Sequence, residues 1–488
     1  MNLKKLISLI PISVLTVSPV ITSCSNNNTT INSDYKIAVN LKNNKSLGYQ
    51  IADAVQYKSK QQIEVVDGST TTNEHEIVLD NTRDEIINLE QNLNKDEYQL
   101  KYVDGKLLIA GNTGIARTKA VDVLLSNYLT KDGLEIPKTL NLKGKCESKD
   151  KIYEILTYTK GGPENDELRD PFIYQENGTY YMVATASNEG VGDDWWHLWK
   201  ATKDFKDPTN EWVDLGYVID QYTVTEGEVI SDNNHWAPEL YKYNNKYYII
   251  TTTEIDNQHS TYPGRGCAVF ESDTLVDSNG KASKFKRISY HDESGTEVFG
   301  RITEPTHNYI DGHLFVENNV PYMVYVGEHV SAPEGDGQMC AARMSDDLTH
   351  FVDEPVVLFT ATQAPWVVRP SDGFVTDGPF IYKLSSGKLL MLWSSYYVED
   401  GSYCMGYATA DSVLGPWTQH ERLIYEQSML SGYESPVPNF SLEGGHGMLF
   451  NDTEGQMYMC IHCGQWAAHE HPFIIPVKEE YDSLVWDV

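Results

Sequence analysis

Three aspartates and one histidine are the residues in this sequence whose types and spacing could do chemistry. The short hydrophobic segments that recur after residue 150 open, in four cases, on Asp170, Asp311, Asp377 and His446. A lone aspartate in such a position is usually a turn residue. Carboxyl groups that converge in space can do more, because an ionised carboxylate accepts a proton from water while a protonated carboxyl donates one. A third carboxyl beside the acid raises the pKa of that acid by like-charge repulsion.

These four residues belong to a unit that repeats five times. Each unit is a strand, a turn and a second strand, and successive units recur at roughly 65–75 residues. The units lie at residues 170–183, 236–250, 310–325, 377–393 and 444–459. A hairpin with one long connection to the next hairpin is typical of the blades of a β-propeller. The sequence therefore predicts a mainly β fold with a five-bladed β-propeller over residues 151–488.

The propeller geometry explains how residues so distant in sequence could form one site. The innermost strands of the blades converge on one axis, so polar residues at their first positions point into a shared central funnel. The next strand of each blade runs antiparallel and returns to the same face. The ends of these strands should therefore add Glu254, Glu328 and His462 to the funnel.

Residues 33–142 have a different pattern, typical of a small α/β unit, in which short strands alternate with helices. The predicted elements are a strand at 35–39, a helix at 47–57, strands at 63–66 and 76–79, a hairpin around Asp104-Gly105 and a helix at 114–128. The Asp-Gly pair is a strong signal for a hairpin turn. Residues 143–150 are predicted to link this accessory unit to the propeller.

The beginning of the chain has the features of an export signal. Two lysines precede an apolar run at 6–20 that is too short, and too interrupted by proline, to span a bilayer comfortably. The small residue before Cys24 resembles a bacterial lipoprotein cleavage site, which predicts a signal peptide at 1–23, a lipidated Cys24 and a polar tether at 24–32. The protein would then lie on the outer face of the cell membrane and touch it only through the lipid. Plain secretion and an uncleaved anchor are the alternatives.

The composition excludes several classes of protein. Of 488 residues, 40% are hydrophobic and 22% are charged, which excludes a polytopic membrane protein, a coiled coil and a mostly disordered chain. With 38 Lys and Arg against 70 Asp and Glu, the formal net charge is −32. Because so acidic a chain repels phosphates, neither nucleic acid nor anionic lipid is expected as its main partner.

The ordered motifs of the repeats resemble glycoside hydrolase family 43. They are Arg169-Asp170-Pro171-Phe172, His235-Trp236-Ala237-Pro238-Glu239, Ile310-Asp311-Gly312, Thr376-Asp377-Gly378-Pro379-Phe380, Gly415-Pro416-Trp417 and Gly444-Gly445-His446-Gly447. The resemblance implies a five-bladed propeller that cleaves arabinosides, xylosides or related sugars with inversion. Residues 33–142 are similar to the small α/β domain that precedes the catalytic domain in family 20 hexosaminidases and family 67 glucuronidases, which implies a structural or positioning role.

The resemblance also implies a role for each aspartate. Asp170 matches the family's general base, and Asp311 matches the residue that tunes the pKa of the acid and orients the substrate. The general acid of the family is usually a glutamate that opens the fourth blade, where this sequence has Asp377. The acid could therefore be Asp377 with its shorter reach, Glu328 or Glu239. In an inverting enzyme the acid and the base are expected about 6.5–9.5 Å apart.

His446 matches the family's fifth-blade histidine near the axis, which often lies beside a calcium ion or a water molecule. No cofactor is expected to be required, although calcium near the axis is an option. Glu239 and His446 are candidate substrate-binding residues, with a structural hydrogen bond to blade backbone and a core position as their respective alternatives. The candidate sugar platforms are Trp195, Trp196, Trp236 and Trp366. A flat indole stacks well on a sugar face, but for any one of them a packing role is commoner.

The function expected from this resemblance is an exo-acting, inverting glycosidase that removes terminal α-L-arabinofuranosyl units from polysaccharide side chains. β-Xylosidase and β-galactofuranosidase activities are close rivals. The alternative is a non-catalytic, surface-tethered propeller that binds carbohydrate, which the aspartate in place of the usual glutamate keeps open. A structural or adhesion role is the third possibility.

Overall fold

The computed structural model describes residues 27–70, 72–79, 81–146, 151–155, 166–188, 192–193, 195–219, 229–230, 234–256, 264–291, 294–295, 297–299, 302–303, 307–331, 335–369, 373–437, 439–465 and 470–488. Strands dominate these residues, and three α-helices lie among them, which confirms the predicted mainly β fold. None of the three has the length and apolarity to cross a membrane. The predicted signal peptide at 1–23 and Cys24 lie outside the described residues.

The N-terminal part of the chain forms an α/β unit. Its elements are β1 (Asn28–Ile31), β2 (Lys36–Val39), α1 (Lys45–Ser59), β3 (Glu64–Asp67), β4 (Glu76–Leu79), α2 (Asp84–Glu90), β5 (Glu97–Val103), β6 (Lys106–Gly111), α3 (Gly114–Tyr128), β7 (Leu129–Thr130), β8 (Gly133–Pro137) and β9 (Asn141–Lys145). A six-stranded sheet has the order β3-β2-β4-β6-β5-β9, parallel from β3 to β6 and antiparallel beyond it. A small sheet of β1, β8 and β7 lies beside it.

The helices cover both faces of the six-stranded sheet because side chains alternate along its strands. In β4, Ile77 and Leu79 belong to the apolar cluster that contains residues of α1 and α3, whereas Val78 packs with Ile86 of α2. The helix α3 begins at the predicted residue, where the hydroxyl of Thr113 accepts a hydrogen bond from the backbone N–H of Ala116 at 3.1 Å.

The α/β unit extends beyond the predicted limits at both ends. β1 lies within the predicted polar tether at 24–32, but it pairs with β8 and buries Ile31 completely. β9 enters the predicted linker at 143–150 and pairs with β5. Both are short edge strands whose exposed positions are polar, so their hydrophobic signal is weak. The sequence analysis also missed α2, where Ile86 alone of the seven residues is fully buried.

The remaining strands form the second part of the fold. They are β10 (Tyr153–Glu154), β11 (Asp166–Glu176), β12 (Thr179–Asn188), β13 (Gly192–Asp193), β14 (His197–Ala201), β15 (Trp212–Tyr217), β16 (Val229–Ile230), β17 (Trp236–Tyr243), β18 (Lys246–Asp256), β19 (Gly264–Ser272), β20 (Lys286–Arg287), β21 (Ser289–His291), β22 (Glu297–Phe299), β23 (Tyr309–Glu317), β24 (Val320–Ser331), β25 (Asp336–Arg343), β26 (Val356–Thr360), β27 (Asp377–Lys383), β28 (Leu389–Tyr396), β29 (Tyr403–Ala410), β30 (Thr418–Gln419), β31 (Gly444–Asn451), β32 (Met457–Cys463), β33 (His471–Glu480) and β34 (Ser483–Trp486). Short 3₁₀ turns lie at Ala361–Gln363 and Gln427–Leu430.

Most of these strands belong to five antiparallel sheets that follow one another along the chain. Their main strand orders are β11-β12-β14-β15, β17-β18-β19-β20, β23-β24-β25-β26, β27-β28-β29-β30 and β31-β32-β33-β10. The first strand of each sheet contacts the first strand of the next, and β31 contacts β11. The five sheets therefore form a closed ring around their first strands, here called the inner strands. β10 comes from the start of this region and completes the last sheet.

Each inner strand has a bulge at the same place, near its beginning. One residue in each bulge has a positive φ, namely Asp170 (52°), Ala237 (44°), Asp311 (55°), Gly378 (53°) and His446 (48°). A bulge bends the strand and re-aims its side chains. This register corrects the sequence alignment of the fourth unit, because the counterpart of Asp170 is Gly378 and Asp377 precedes that position by one residue.

Apolar clusters fill the space between neighbouring sheets. Trp366 lies in the cluster between the third and fourth sheets, where it is fully buried and its ring centroid is 4.5 Å from that of Trp393. The prediction of Trp366 as a sugar platform is therefore wrong, because its ring belongs to the core. Trp196 is likewise almost fully buried, in the cluster of the first sheet.

The α/β unit docks against the fourth and fifth sheets and the segment between them. The backbone N–H of Gly114 donates to Ser431 O at 2.8 Å, and Arg117 Nη2 donates to Ser431 Oγ at 2.8 Å. A Cβ atom on Gly114 would lie 2.2 Å from the carbonyl oxygen of Ser428, so only glycine allows this approach. Farther along the same interface, Lys478 Nζ lies 2.7 Å from Asp122 Oδ1.

Candidate active site

The bulges bring the predicted polar residues together at the centre of the ring. His446 Nδ1 lies 3.1 Å from Asp170 Oδ1 and 3.8 Å from Asp311 Oδ2. The backbone N–H of Gly378 donates to Asp311 Oδ2 at 3.0 Å, which places Asp377 beside this group. Three carboxyl groups and one imidazole that are up to hundreds of residues apart in sequence thus share one site.

A ring of hydrogen bonds, here called the bulge ring, joins the five bulges. The backbone N–H of each bulge residue donates to a side chain of the preceding sheet. The pairs are Ala237 to Thr185 (2.7 Å), Asp311 to Thr252 (2.8 Å), Gly378 to Asp311 (3.0 Å), His446 to Ser394 (2.8 Å) and Asp170 to His462 (3.2 Å). Four of the acceptors lie at the same register of the second strand. In the third sheet Val326 occupies that register and cannot accept, so the carboxylate of Asp311 does so instead.

Asp170 lies in cationic surroundings. Its Oδ2 accepts a hydrogen bond from Thr185 Oγ1 at 2.6 Å and lies 3.7 Å from Arg169 Nε. Burial raises the pKa of Asp170, but the charge and hydrogen bond of His446, together with Arg169, outweigh burial and hold the pKa well below its usual value. Asp170 is therefore ionised at neutral pH.

The other two aspartates lie in anionic surroundings. Burial, helped by the charges of Asp170 and Glu328, raises the pKa of Asp311 to about 6, although His446 opposes the shift. Burial also raises the pKa of Asp377 well above its usual value, and the charges of Asp311 and Glu328 add to the rise. Asp377 is therefore the carboxyl of this site that favours its protonated form.

His446 acts as a cation in this group. Burial alone would lower its pKa, but the carboxylates of Asp170 and Asp311 raise the pKa to about 10. Within the residues that the structure describes, no three His, Cys, Asp or Glu side chains are grouped so as to hold a metal. Calcium near His446 therefore stays a prediction, and the chemistry proposed for this site uses its carboxyl groups.

Glu328 lies in the second half of β24 and pairs with an arginine. Arg265 donates from Nε and Nη2 to Glu328 Oε2, at 2.9 and 2.5 Å. Asn234 links this pair to Glu254, since its Oδ1 accepts from Arg265 Nη1 at 3.5 Å and its Nδ2 donates to Glu254 Oε2 at 2.7 Å. The ends of these second strands therefore carry polar groups, and both hydrogen bonds from the guanidinium go to one carboxylate oxygen of Glu328.

Glu239 lies in an internal hydrogen-bond network rather than in the central group. It is buried, accepts a hydrogen bond from the hydroxyl of Tyr241, and lies 3.0 Å from His313 Nδ1. His313 Nε2 in turn accepts from the backbone N–H of Ile381 at 3.0 Å. This network ties the second, third and fourth sheets together. The prediction of Glu239 as a substrate-binding residue or acid is therefore wrong, and its structural alternative describes it better.

Two of the predicted sugar platforms are partly exposed. Trp236 has the guanidinium of Arg265 over its ring, 4.7 Å from the centroid, so one face of this indole is already covered. Trp195 has its ring centroid 4.2 Å from that of His235. Because both rings are only partly buried, both remain candidates for sugar contact.

The sequence analysis missed three residues that the site uses. Arg265 pairs with Glu328, Thr185 bonds Asp170, and Tyr403 donates from its hydroxyl to Asp377 Oδ2 at 3.1 Å. Thr185 could have been found, because it lies on the strand after Asp170 at the register that Thr252 and Ser394 occupy in their own sheets. Arg265 and Tyr403 lie on the third strands of the second and fourth sheets, where no local motif marks them.

This arrangement can do acid and base chemistry at once. One buried carboxyl is held ionised by cations, and another is kept protonated by burial and by neighbouring carboxylates. Two carboxyl groups with opposite preferences for the proton define the kind of site found in O-glycosyl hydrolases.

The family of the chain follows from its sequence. The family model described as Glycosyl hydrolases family 43 matches residues 165–482. The protein therefore belongs to family 43 of the glycosyl hydrolases. It is an O-glycosyl hydrolase by family, and its substrate class is an oligo- or polysaccharide. No curated protein matches the chain.

Solved structures resemble the ring of sheets. The endo-arabinase from Bacteroides thetaiotaomicron is 28% identical, with a TM-score of 0.51, over 67% of this chain and 98% of that chain. A thermostable family-43 glycoside hydrolase is 20% identical, with a TM-score of 0.50, over 68% of this chain and 96% of that chain. The second likeness shows the fold alone.

Proposed function

We propose that this protein is an inverting glycosidase in which Asp170 is the general base and Asp377 is the general acid. The observation that carries the proposal is the contrast between their surroundings. Asp170 contacts His446 and lies near Arg169, whereas the charges nearest Asp377 include those of Asp311 and Glu328. The pKa of the first is held low and that of the second is raised, which is the pairing that acid–base hydrolysis needs.

The reaction follows from these protonation states. Ionised Asp170 takes a proton from a water molecule, whose oxygen forms a bond to the anomeric carbon. Asp377 gives its proton to the glycosidic oxygen as the bond from that oxygen to the anomeric carbon breaks. The new hydroxyl enters on the face opposite the leaving group, so the configuration inverts. Asp311 keeps the pKa of Asp377 high and bonds the backbone next to it.

Asp377 is a better acid than the two alternatives. Glu328 accepts two hydrogen bonds from Arg265, and Glu239 is bonded to Tyr241 within the core network. Neither of them has the combination of burial beside carboxylates and access to the central group that Asp377 has.

The architecture that we propose for residues 151–488 is a five-bladed β-propeller with the site at its axis. The closed ring of five antiparallel sheets and the five equivalent bulges support this interpretation. The α/β unit before it would be an accessory domain of the enzyme. Its likeness to the domains of family 20 and family 67 enzymes stays a prediction.

For the substrate, we propose terminal α-L-arabinofuranosyl units, released by exo-attack from polysaccharide side chains. Similarity to an endo-arabinase supports the arabinosyl part of this proposal. The same similarity favours internal cleavage of arabinan as the second candidate function. β-Xylosyl and β-galactofuranosyl substrates are the rivals within the family.

The test uses the purified full chain with 4-nitrophenyl α-L-arabinofuranoside, β-D-xyloside and β-D-galactofuranoside, and with linear arabinan. We expect the arabinoside to be cleaved fastest and arabinan to yield free arabinose from the start. Proton NMR of the first product should show the inverted anomer. Early release of oligosaccharides from arabinan would favour the endo mode instead.

The matched variant is Asp170→Asn, which suits the positive φ of this position and should lose about 10²–10⁴-fold in kcat/KM while keeping the melting temperature near that of the wild type. If the wild type cleaves nothing but binds arabino-oligosaccharides in calorimetry, the non-catalytic binding alternative replaces the enzyme proposal.

We also propose that the protein is held at the outer face of the cell membrane by lipid on Cys24. The apolar run at 6–20 and the small residue before Cys24 support this location. Cys24→Ala should move the protein from the membrane fraction to the soluble fraction. Mass spectrometry of the mature N-terminus distinguishes a lipidated Cys24 from plain secretion.

A further inference from the structure

The α/β unit lies beside the loop of the fourth sheet whose last residue is hydrogen-bonded to the proposed acid, Asp377. Residues 396–403, here called the acid loop, connect β28 to β29 and end at Tyr403. Tyr403 donates its hydroxyl hydrogen to Asp377 Oδ2 at 3.1 Å. The position of the acid loop therefore sets the position of a hydrogen-bond donor to Asp377.

The α/β unit contacts the acid loop through an ion pair, a cation–π contact and a hydrogen bond. Lys45 Nζ at the start of α1 lies 2.6 Å from Glu399 Oε1 and 5.8 Å from the centroid of the Tyr397 ring. The hydroxyl of Tyr397 donates to Leu41 O at 3.3 Å. The side chains of Lys45 and Glu399 are only 12% and 19% exposed, so solvent and salt screen this ion pair less than an open one.

The acid loop is tight enough to transmit its position to Tyr403. The backbone N–H of Tyr397 donates to Ser402 O at 2.8 Å, and that of Gly401 donates to Tyr397 O at 2.7 Å. The ring of Tyr403 stacks on His462 with centroids 5.8 Å apart and planes at 18°. The two backbone hydrogen bonds thus join Tyr397 to the residues directly before Tyr403, and the stack on His462 fixes the plane of the Tyr403 ring.

We propose that the α/β unit is a positioning element for the general acid, and that Lys45 holds the acid loop where Tyr403 bonds Asp377. This inference rests on the proposed function of Asp377. Lys45, Glu399 and Tyr397 touch no reacting atom and act through Tyr403. The unit would thus contribute to catalysis without contributing a group to the site.

The expected effect has a definite sign. The charged and titratable groups that face Asp377 are Asp311, Glu328, His446 and Tyr403. The hydrogen bond from Tyr403 favours the ionised form and lowers the pKa of Asp377 from the level set by burial and the carboxylates. Loosening the acid loop therefore raises the pKa of Asp377. It also leaves the carboxyl group less well oriented to donate its proton to the glycosidic oxygen. The kcat should fall while the basic limb of the pH profile moves to higher pH.

The test is Lys45→Met in the full chain. We expect kcat for the arabinoside to fall about three- to tenfold, with KM little changed and the basic limb moved up. Tyr403→Phe should shift the limb in the same direction by more, and Lys45→Arg should restore the wild-type profile. Lys478→Met is the matched control, because it breaks an ion pair with Asp122 across the same interface, away from the acid loop.

Hydrogen exchange at the amides of Tyr397 and Gly401 gives a second readout that needs no substrate. Lys45→Met should speed exchange at both amides and Lys478→Met should not. If the wild type is inactive on every substrate, the proposed function fails. The exchange measurement still tests whether Lys45 holds the acid loop in place. Equal losses in both lysine variants with an unmoved basic limb, or unchanged exchange in Lys45→Met, would overturn the inference.

Discussion

The first and fourth sheets place an aspartate at almost the same point of the same strand and give it opposite properties. Asp170 occupies its bulge, accepts from Thr185 and contacts His446. Asp377 lies one residue before its bulge, where the nearest charges include two carboxylates. The backbone repeat alone therefore does not decide which carboxyl keeps its proton. The neighbours contributed by the adjoining sheets decide it, because a charge within a few ångströms shifts a buried pKa by whole units.

The largest effect should come from removing the proton of the acid. Asp377→Asn should lower kcat on an arabino-oligosaccharide about 10²–10⁴-fold. The loss on 4-nitrophenyl α-L-arabinofuranoside should be far smaller, because nitrophenolate leaves without protonation. Steady-state rates on the two substrates measure the difference. If Glu328→Gln instead shows this dependence on the leaving group and Asp377→Asn does not, the acid is Glu328.

The next effect should come from removing the cation beside the base. His446→Asn suits the positive φ of this position and deletes the charge that lowers the pKa of Asp170. Since the base works only when ionised, the acidic limb of the kcat/KM profile should move to higher pH. We expect kcat/KM at neutral pH to fall about 10²-fold. A variant that keeps its fold by circular dichroism but has an unmoved acidic limb would separate His446 from the base.

A smaller effect, on the basic limb of the pH profile, should come from Glu328→Gln. Its charge raises the pKa of Asp377, and the acid works only when protonated. Removing the charge should therefore move the basic limb to lower pH, with less than about a tenfold loss at the optimum. Glu354→Gln, at an exposed position, is the control and should leave the profile in place.

The smallest effect should come from the hydroxyl that bonds the base. Thr185→Val removes the donor at 2.6 Å from Asp170 Oδ2, and a hydrogen bond to a charged group contributes about 1.5–3 kcal/mol. The acidic limb should rise by about one to two pH units, since one pKa unit corresponds to about 1.4 kcal/mol. Thr185→Ser should keep the wild-type profile. Thr253→Val, which removes another fully buried hydroxyl in the neighbouring sheet, should not move it.

The central residues could be predicted because the fold repeats. Asp170, Asp311 and His446 open the same repeated segment in three units, so a sequence comparison between units aligns them and the ring geometry brings them together. Asp377 was found by the same pattern but misaligned by one residue, since only the backbone conformation identifies Gly378 as the bulge residue.

The partners of these residues could not be predicted in the same way. Arg265 reaches Glu328 from a neighbouring sheet, and no spacing in the sequence encodes contacts between sheets. The same limit applies to Trp366. Its indole side chain suggests a sugar platform, but the packing of the third against the fourth sheet buries it in the core. The boundaries of the α/β unit were underestimated because edge strands such as β1 and β9 are short and largely polar.

The pairing of β10 affects the order in which the parts of the molecule can fold during synthesis. Tyr153 pairs with Ile474, so the last sheet of the ring stays incomplete until β33 has left the ribosome. The α/β unit is complete by residue 145 and can fold long before then, as N-terminal units generally do. The folded α/β unit can dock against the ring only after the residues around Glu399 and Ser431 have been synthesised. In a nascent chain halted before β33, the α/β unit should therefore be folded and resist proteases, while the last sheet of the ring, which still lacks β33, should be cleaved first.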